Sequence, residues 1–215
     1  MYNLEKLLNN FKSKNNFFGF WDSKNNSVIS EIQKIQIILW AKSILFFHPE
    51  TNLWLISKKN VIPPNLIDLK GLQIIYLDNM TSIFQDTPLS TLSSKIFNGA
   101  NKAEQSDLIR LALLYRFGGT WLDIDDVVVR KFPTEKNIVG TFLWKNNKTK
   151  ATYWGSTFNL VDGLIVSNKY KDFGFHIQND PLINWEKGNK FLLMWMNTIK
   201  NSKSCDWGQK IPTEI

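Results

Sequence analysis

The chain has 215 residues, 43% hydrophobic and 13% aromatic with nine Trp, so it is not wholly disordered and carries enough apolar mass for the core of one domain. Twenty-six Lys and Arg against 19 Asp and Glu leave a net charge of +7, which favours phosphates, nucleic acid, anionic lipid or acidic polymers without choosing among them. A single cysteine, Cys205, excludes an internal disulfide and a cysteine-rich zinc site, and two histidines, His48 and His176, exclude a His-built one; a divalent ion here needs oxygen ligands, which points to Mg²⁺ or Mn²⁺.

In chain order, the N-terminal segment lacks the uninterrupted apolar stretch and small-residue cleavage site of a signal peptide. A short helix is expected over Leu4 to Phe11. Phe17 to Trp21 (FFGFW) is a continuous apolar run and predicts a buried strand. Ser27 to Phe47 predicts a helix, with Ile32, Ile35, Leu39, Ile44 and Phe47 at roughly helical spacing and His48-Pro49 as its stop. The apolar part of that helix is interrupted by Gln36, Lys42 and Ser43 and is too short to span a bilayer. The chain is therefore expected to be soluble and cytoplasmic; a monomer is a separate expectation, and the sequons at Asn25, Asn79 and Asn147 reflect an Asn-rich composition.

Asn52 to Ile56 and Leu72 to Leu77 predict two more strands, and strand, helix, strand at this spacing predicts an α/β domain with a largely parallel sheet. A short helix is expected over Leu89 to Phe97. Ala103 to Phe117 is the best helix in the chain, with Gly118-Gly119 suited to a left-handed cap. Thr120 to Ile124 predicts a strand running into an acidic loop. Ile138 to Trp144 and Thr152 to Val166 are β-rich, and Lys190 to Ile199 predicts a last helix. Trp40, Trp54, Trp144 and Trp185 are expected in packing, whereas Tyr153 and Trp154 are candidates for stacking on a ligand. Lys12, Lys14, Lys58, Lys59, Lys145, Lys148 and Lys150 read as solvated faces, with peripheral membrane contact open to them if a partner is lipid-linked.

Chemistry concentrates in residues 106–126, SDLIRLALLYRFGGTWLDIDD. Strand alternation would put Asp123 and Asp125 on one side of the backbone and Ile124 in the core. Two carboxylates so close repel unless a cation lies between them. A hard divalent ion removes that cost and can bridge nucleotide phosphates. Alone, Asp-x-Asp is also what a solvated acidic turn looks like, but the end of an apolar strand is where open α/β sheets bind ligands. Asp107 and Arg110 share a helix face; a local ion pair worth a few tenths of a kcal/mol is one reading, and a carboxylate and guanidinium facing sugar hydroxyls is the other.

Taken together, Asp-Leu-x-Arg, Tyr-x-x-Gly-Gly and Leu-Asp-x-Asp resemble the sugar-binding region of DXD glycosyltransferases of the GT-A fold, closest to the capsular-polysaccharide-synthesis type. The α-1,4-galactosyl- and α-1,6-mannosyltransferases and the glucosylating bacterial toxins carry a similar block. Phe18-Gly19-Phe20-Trp21 adds a weaker likeness, a strand ending in Trp near the nucleotide base.

The resemblance implies a GT-A-type (Rossmann-like) mixed, mostly parallel sheet flanked by helices, with a smaller β-rich acceptor-side region. Residues 1–215 would form one catalytic domain, 1–130 mainly for the nucleotide sugar and 131–215 mainly for the acceptor. The short tail also fits a catalytic domain of a longer protein. Asp107 and Arg110 would contact the donor sugar, Asp123 would touch ribose or sugar and help hold the metal, and Asp125 would ligate Mn²⁺ or Mg²⁺. Phe20 or Trp21 would line the uracil pocket, and Trp207 would close over the donor phosphates. The implied reaction moves a sugar from a nucleotide diphosphate sugar, UDP-linked, to a hydroxyl of a glycan or other acceptor, with retention.

Two features depart from the family pattern. Asp162-Gly163 stands where relatives show Asn-Gly, and the usual C-terminal segment is not recognisable. A nucleic-acid-binding module and a metal-dependent nuclease or phosphohydrolase are the alternatives. The basic residues are scattered without an RNA-binding signature, and few further carboxylates or histidines are on offer for hydrolysis. Asp162 and Asp126 would be the candidate bases of an inverting enzyme, and His176 a candidate extra ligand.

Overall fold

The computed structural model describes residues 15–23, 27–77, 79–92, 98–132, 134, 136–139, 142–143, 153–154, 158–159 and 182–201. Nine strands and three α-helices are found among them. The strands are β1 (Asn16–Phe20), β2 (Asn52–Ser57), β3 (Leu72–Tyr76), β4 (Gly119–Trp121), β5 (Ile138–Val139), β6 (Phe142–Leu143), β7 (Tyr153–Trp154), β8 (Phe158–Asn159) and β9 (Leu182–Trp185). The helices are α1 (Glu31–Phe47), α2 (Lys102–Phe117) and α3 (Lys190–Asn201).

Seven strands form one sheet in the order β3-β2-β1-β4-β9-β5-β8. The first four run parallel, and β9, β5 and β8 add antiparallel pairings to make the sheet mixed. Strands β6 and β7 pair separately. Such a sheet needs cover on both faces, which is why β1 and β2 are almost continuously apolar. Phe17, Leu53 and Leu55 pack with Ile37, Trp40, Ala41 and Ile44 of α1. Phe18, Phe20, Trp54 and Ile56 pack on the opposite face with Leu108, Leu111 and Ala112 of α2 and with Leu192, Trp195 and Met196 of α3. The α/β class and mixed sheet expected from the sequence are what the chain forms.

Both long helices start at capping boxes. Ser30 and Gln33 cap α1 reciprocally, and Asn101 and Glu104 cap α2 at 3.0 and 2.8 Å. Helix α2 stops at two glycines with φ of +67° and +110°. The expectation of a left-handed cap holds for φ only: ψ at Gly118 is −174°, so the chain leaves the helix extended, directly into β4. A Cβ at Gly118 would stand 2.7 Å from the Trp185 carbonyl of β9. The second glycine is needed because β4 passes tightly against the Asn16 backbone.

Three expectations are corrected. The buried stripe of α1 is Ile37, Trp40, Ala41 and Ile44; of the stripe read from spacing only Ile44 is fully buried, and Ile32, Ile35 and Leu39 are 79%, 63% and 52% exposed. The helix is apolar around most of its circumference, so two stripes satisfy a 3.6-residue period and spacing alone does not choose. The strand over Thr120 to Ile124 is only Gly119–Trp121, because the chain turns at Asp123–Asp126. Within Leu89 to Phe97, the described part is a 3-10 turn, Pro88–Thr91, in place of an α-helix.

Strand β9 was not expected at all, yet it joins β4 to β5. Trp40, Trp54 and Trp185 are buried as expected. Leu4 to Phe11, Trp144, and the side chains of Tyr153 and Trp154 lie outside the described residues. No helix among the described residues is long and apolar enough to cross a membrane.

Candidate active site

Strands β1 and β4 lie side by side and parallel, so their C-terminal ends open on the same edge of the sheet. There Phe20, Trp21 and Asp22 from the end of β1, Gln36 of α1, Lys102, Ala103 and Ser106 of α2, and Asp123, Ile124 and Asp125 after β4 line an open cleft of about 370 Å³. This is the position at which α/β sheets bind ligands.

The acidic residues reach the cleft through a turn, where strand alternation was expected. Asp126 N–H donates to the Asp123 carbonyl at 3.0 Å, and Asp123 N–H donates to Asp126 Oδ2 at 3.1 Å. Asp126 is therefore a structural brace for the turn. The buried indole of Trp121 donates from Nε1 to Asp123 Oδ1 at 2.8 Å and fixes that carboxylate. Ile124 is buried, and it and Trp40 fill the space left by the missing side chain of Gly19, where a Cβ would stand 2.7 and 2.6 Å from them. The turn is thus seated on the core through one isoleucine, with Asp123 half-buried and Asp125 exposed. Burial pushes the Asp123 carboxyl above its ordinary pKa; the charge of Arg110 and the Trp121 bond oppose this, and Asp125 adds to it.

Asp107 and Arg110 form the local ion pair that was one of the two readings, and the pair is buried. They are 2% and 1% exposed. Asp107 Oδ2 and Arg110 Nε and Nη1 are buried without a hydrogen-bond partner among the described residues. Such atoms call for an ordered water or a hydroxyl-rich ligand. Burial raises the Asp107 carboxyl to about 6 against the opposing charge of Arg110, with Asp123 and Glu104 raising it further. Phe20, Trp21, Asp123 and Asp125 are therefore brought together on the cleft wall. Asp107 and Arg110 are buried beside it, within electrostatic reach of Asp123. Trp207, Asp162 and His176 lie outside the described residues.

Sequence reasoning missed Asp22, Gln36, Lys102 and Ser106, which also line the cleft. The Asp22 side chain is fully buried and accepts from Lys58 at 2.9 Å and Lys102 at 2.5 Å. Lys58 is accordingly not a solvated patch residue. The available signal was a carboxylate directly following an apolar strand, the same cue that drew attention to Asp123. Among the described residues no cluster of three or more His, Cys, Asp or Glu could hold a metal ion. A metal at this site would rest on the Asp123–Asp125 pair and complete its shell from ligand and water oxygens, as Mg²⁺ commonly does.

The family model for the glycosyltransferase sugar-binding region containing the DXD motif matches residues 21–144, more than half of the chain. An uncharacterized protein of Arabidopsis thaliana is 31% identical over 70 residues, which is 31% of this chain and 11% of that protein. The chain thus spans about a tenth of that relative's length. Among solved structures, the PaToxG glycosyltransferase superposes with a TM-score of 0.54 at 16% identity, covering 96% of this chain and 72% of that one, a likeness of fold.

Proposed function

We propose that this chain, which belongs to the glycosyltransferase family defined by the DXD-containing sugar-binding region, takes its sugar from a nucleotide diphosphate donor, UDP-linked, and uses Mn²⁺ or Mg²⁺. The acceptor is a hydroxyl of a glycan or other molecule, and the anomeric configuration is retained. The observation that carries this reading is that one cleft at the ends of parallel strands joins an acidic turn to an aromatic wall. A nucleotide diphosphate has the matching halves, a flat base whose face stacks on aromatic rings and a polyanion that needs a cation beside carboxylates.

Asp123 and Asp125 would hold the metal. Their chemistry fits, since a half-buried carboxylate with a like charge two residues away is relieved by a cation. Bound there, the ion would neutralise charge developing on the diphosphate leaving group. Trp121 and the Asp126 brace hold Asp123 in place before the ligand arrives, which spares reorganisation at the reacting centre. Arg110 keeps Asp123 toward its ionised form, and Asp107 with Arg110 orients the donor sugar. Phe20 and Trp21 form the wall for the base. Retention with the departing phosphate taking the acceptor proton needs no protein base. In support, Asp22, the remaining carboxylate on the described cleft wall, is already bound to two lysines. The same reading has the chain act as a cytoplasmic monomer.

Calorimetric titration of UDP with and without Mn²⁺ tests this, using wild type and Asp125→Asn. Asp125 is exposed, so the substitution leaves the fold intact. Binding that requires Mn²⁺ and is lost in the variant is expected, together with loss of most transfer activity. Metal-independent binding, or near-normal turnover by Asp125→Asn, would overturn the metal assignment. Salt-sensitive binding of oligonucleotides without metal would favour a nucleic-acid module.

A further inference from the structure

Asp22 follows β1 and its side chain is fully buried. A buried carboxylate is costly unless paired and hydrogen-bonded. Its Oδ1 accepts from Ser23 N–H at 2.9 Å, and its Oδ2 accepts from Lys58 at 2.9 Å and Lys102 at 2.5 Å. With both oxygens engaged by the chain's own donors, Asp22 is a holder of lysines and not a third ligand for a metal.

Lys102 is the first residue of α2, where the helix dipole disfavours a cation. A local rule broken in this way marks a position kept for another purpose. The ammonium is held by Asp22 and by Gln105 Oε1 at 3.2 Å; Gln105 is itself buried and donates from Nε2 to the Ala100 carbonyl at 3.1 Å. Two of its three N–H donors are thereby used, and the side chain, 29% exposed, lines the cleft. Its link to Asp22, the residue after Trp21, puts it on the aromatic side of the cleft.

We infer that Lys102 is a specificity-determining residue that reads the base edge of the donor nucleotide and selects uracil over cytosine. This rests on the nucleotide-sugar reading above. An ammonium only donates hydrogen bonds. It rewards the O4 carbonyl of uracil and opposes the N4 amino group of cytosine, which would set donor against donor. Asp22 and Gln105 hold the group in place, so the discrimination does not depend on ordering a loose side chain.

Dissociation constants of UDP and CDP with Mn²⁺, measured by calorimetry for wild type, Lys102→Met and Lys102→Gln, test the inference. Wild type prefers UDP by roughly tenfold or more, the size expected when a charged donor loses its acceptor. Lys102→Met removes that preference. Lys102→Gln, polar and with an acceptor of its own, also lowers it and supplies the readout should the Met variant fail to fold. A preference unchanged in either folded variant, or an equal weakening of UDP and CDP, which would mean a phosphate contact or a purely structural role, overturns the inference. If wild type binds neither nucleotide, the nucleotide-sugar reading itself falls; a failure confined to base preference leaves that reading standing.

Discussion

Asp107 holds a carboxyl in a place that disfavours its charge. Its pKa in the folded chain, about 6, lies above the ordinary carboxylate value, so between roughly pH 4 and 6 the folded state binds more protons than the unfolded one. Stability contributed by this group is greatest at the acid end of that window and is lost as pH rises through it. The loss is on the order of 3 kcal/mol by the size of the shift. Asp107→Asn keeps the shape and removes the titration. The difference in urea midpoint between wild type and Asp107→Asn should therefore change across pH 4.5 to 7, in the direction of wild type losing ground. A pH-independent difference would show that Arg110 compensates the carboxylate fully. Titrations of groups not coupled to Asp107 cancel in the difference, including that of His48, whose pKa is lowered by burial and by Lys131; those of Asp123 and Glu104, which are coupled to it, add to the change. A charged Asp107 at neutral pH is a cost to the fold, in keeping with the donor-sugar role proposed for it.

At the scale of elements, what the sequence reveals depends on how local the signal is. The acidic segment, the Gly-Gly exit from α2 and the helix before it were legible because their parts are neighbours in the chain; the turn that carries the carboxylates and the Asn101–Glu104 cap were not read. The buried face of α1 was not, because two apolar stripes compete and the choice is made by Gly19 on β1, whose missing side chain admits Trp40. Strand β9 escaped notice because four residues carry little periodicity, and its place is decided by pairing with β4 and β5. The Asp22–Lys102 pair joins residues 80 positions apart and leaves no local trace. The reassigned stripe makes a direct prediction. Trp40→Ala should cost about 3–5 kcal/mol, as large-to-small changes in a core do, while Leu39→Ala on the exposed side should stay within about 0.5 kcal/mol. Chemical denaturation of both variants checks this, and equal costs would restore the stripe first read from spacing.

At the scale of the molecule, the boundary between residues 1–130 and 131–215 is not a boundary in the core. Strand β9 belongs to the same sheet as β1–β4, and Leu192, Trp195 and Met196 of α3 share a cluster with α2. A ligand at the cleft should therefore stabilise the described parts as one cooperative unit. UDP with Mn²⁺ at about 100 times its dissociation constant would add roughly 2.7 kcal/mol, read as a single upward-shifted thermal transition. A transition that splits, with only one part shifted, would show that the two halves unfold separately. The sheet register also bears on biosynthesis. Phe17 pairs with Thr120 in the parallel β1–β4 ladder, a contact made across about a hundred residues, and such contacts are slow to form. Strands β1 and β2 can meet on a half-made chain, but the acidic turn joins them only after Asp125 has emerged from the ribosome. On the nucleotide-sugar reading, donor affinity would thus be acquired only after that point in synthesis, and a shorter nascent chain would lack the acidic half of the cleft.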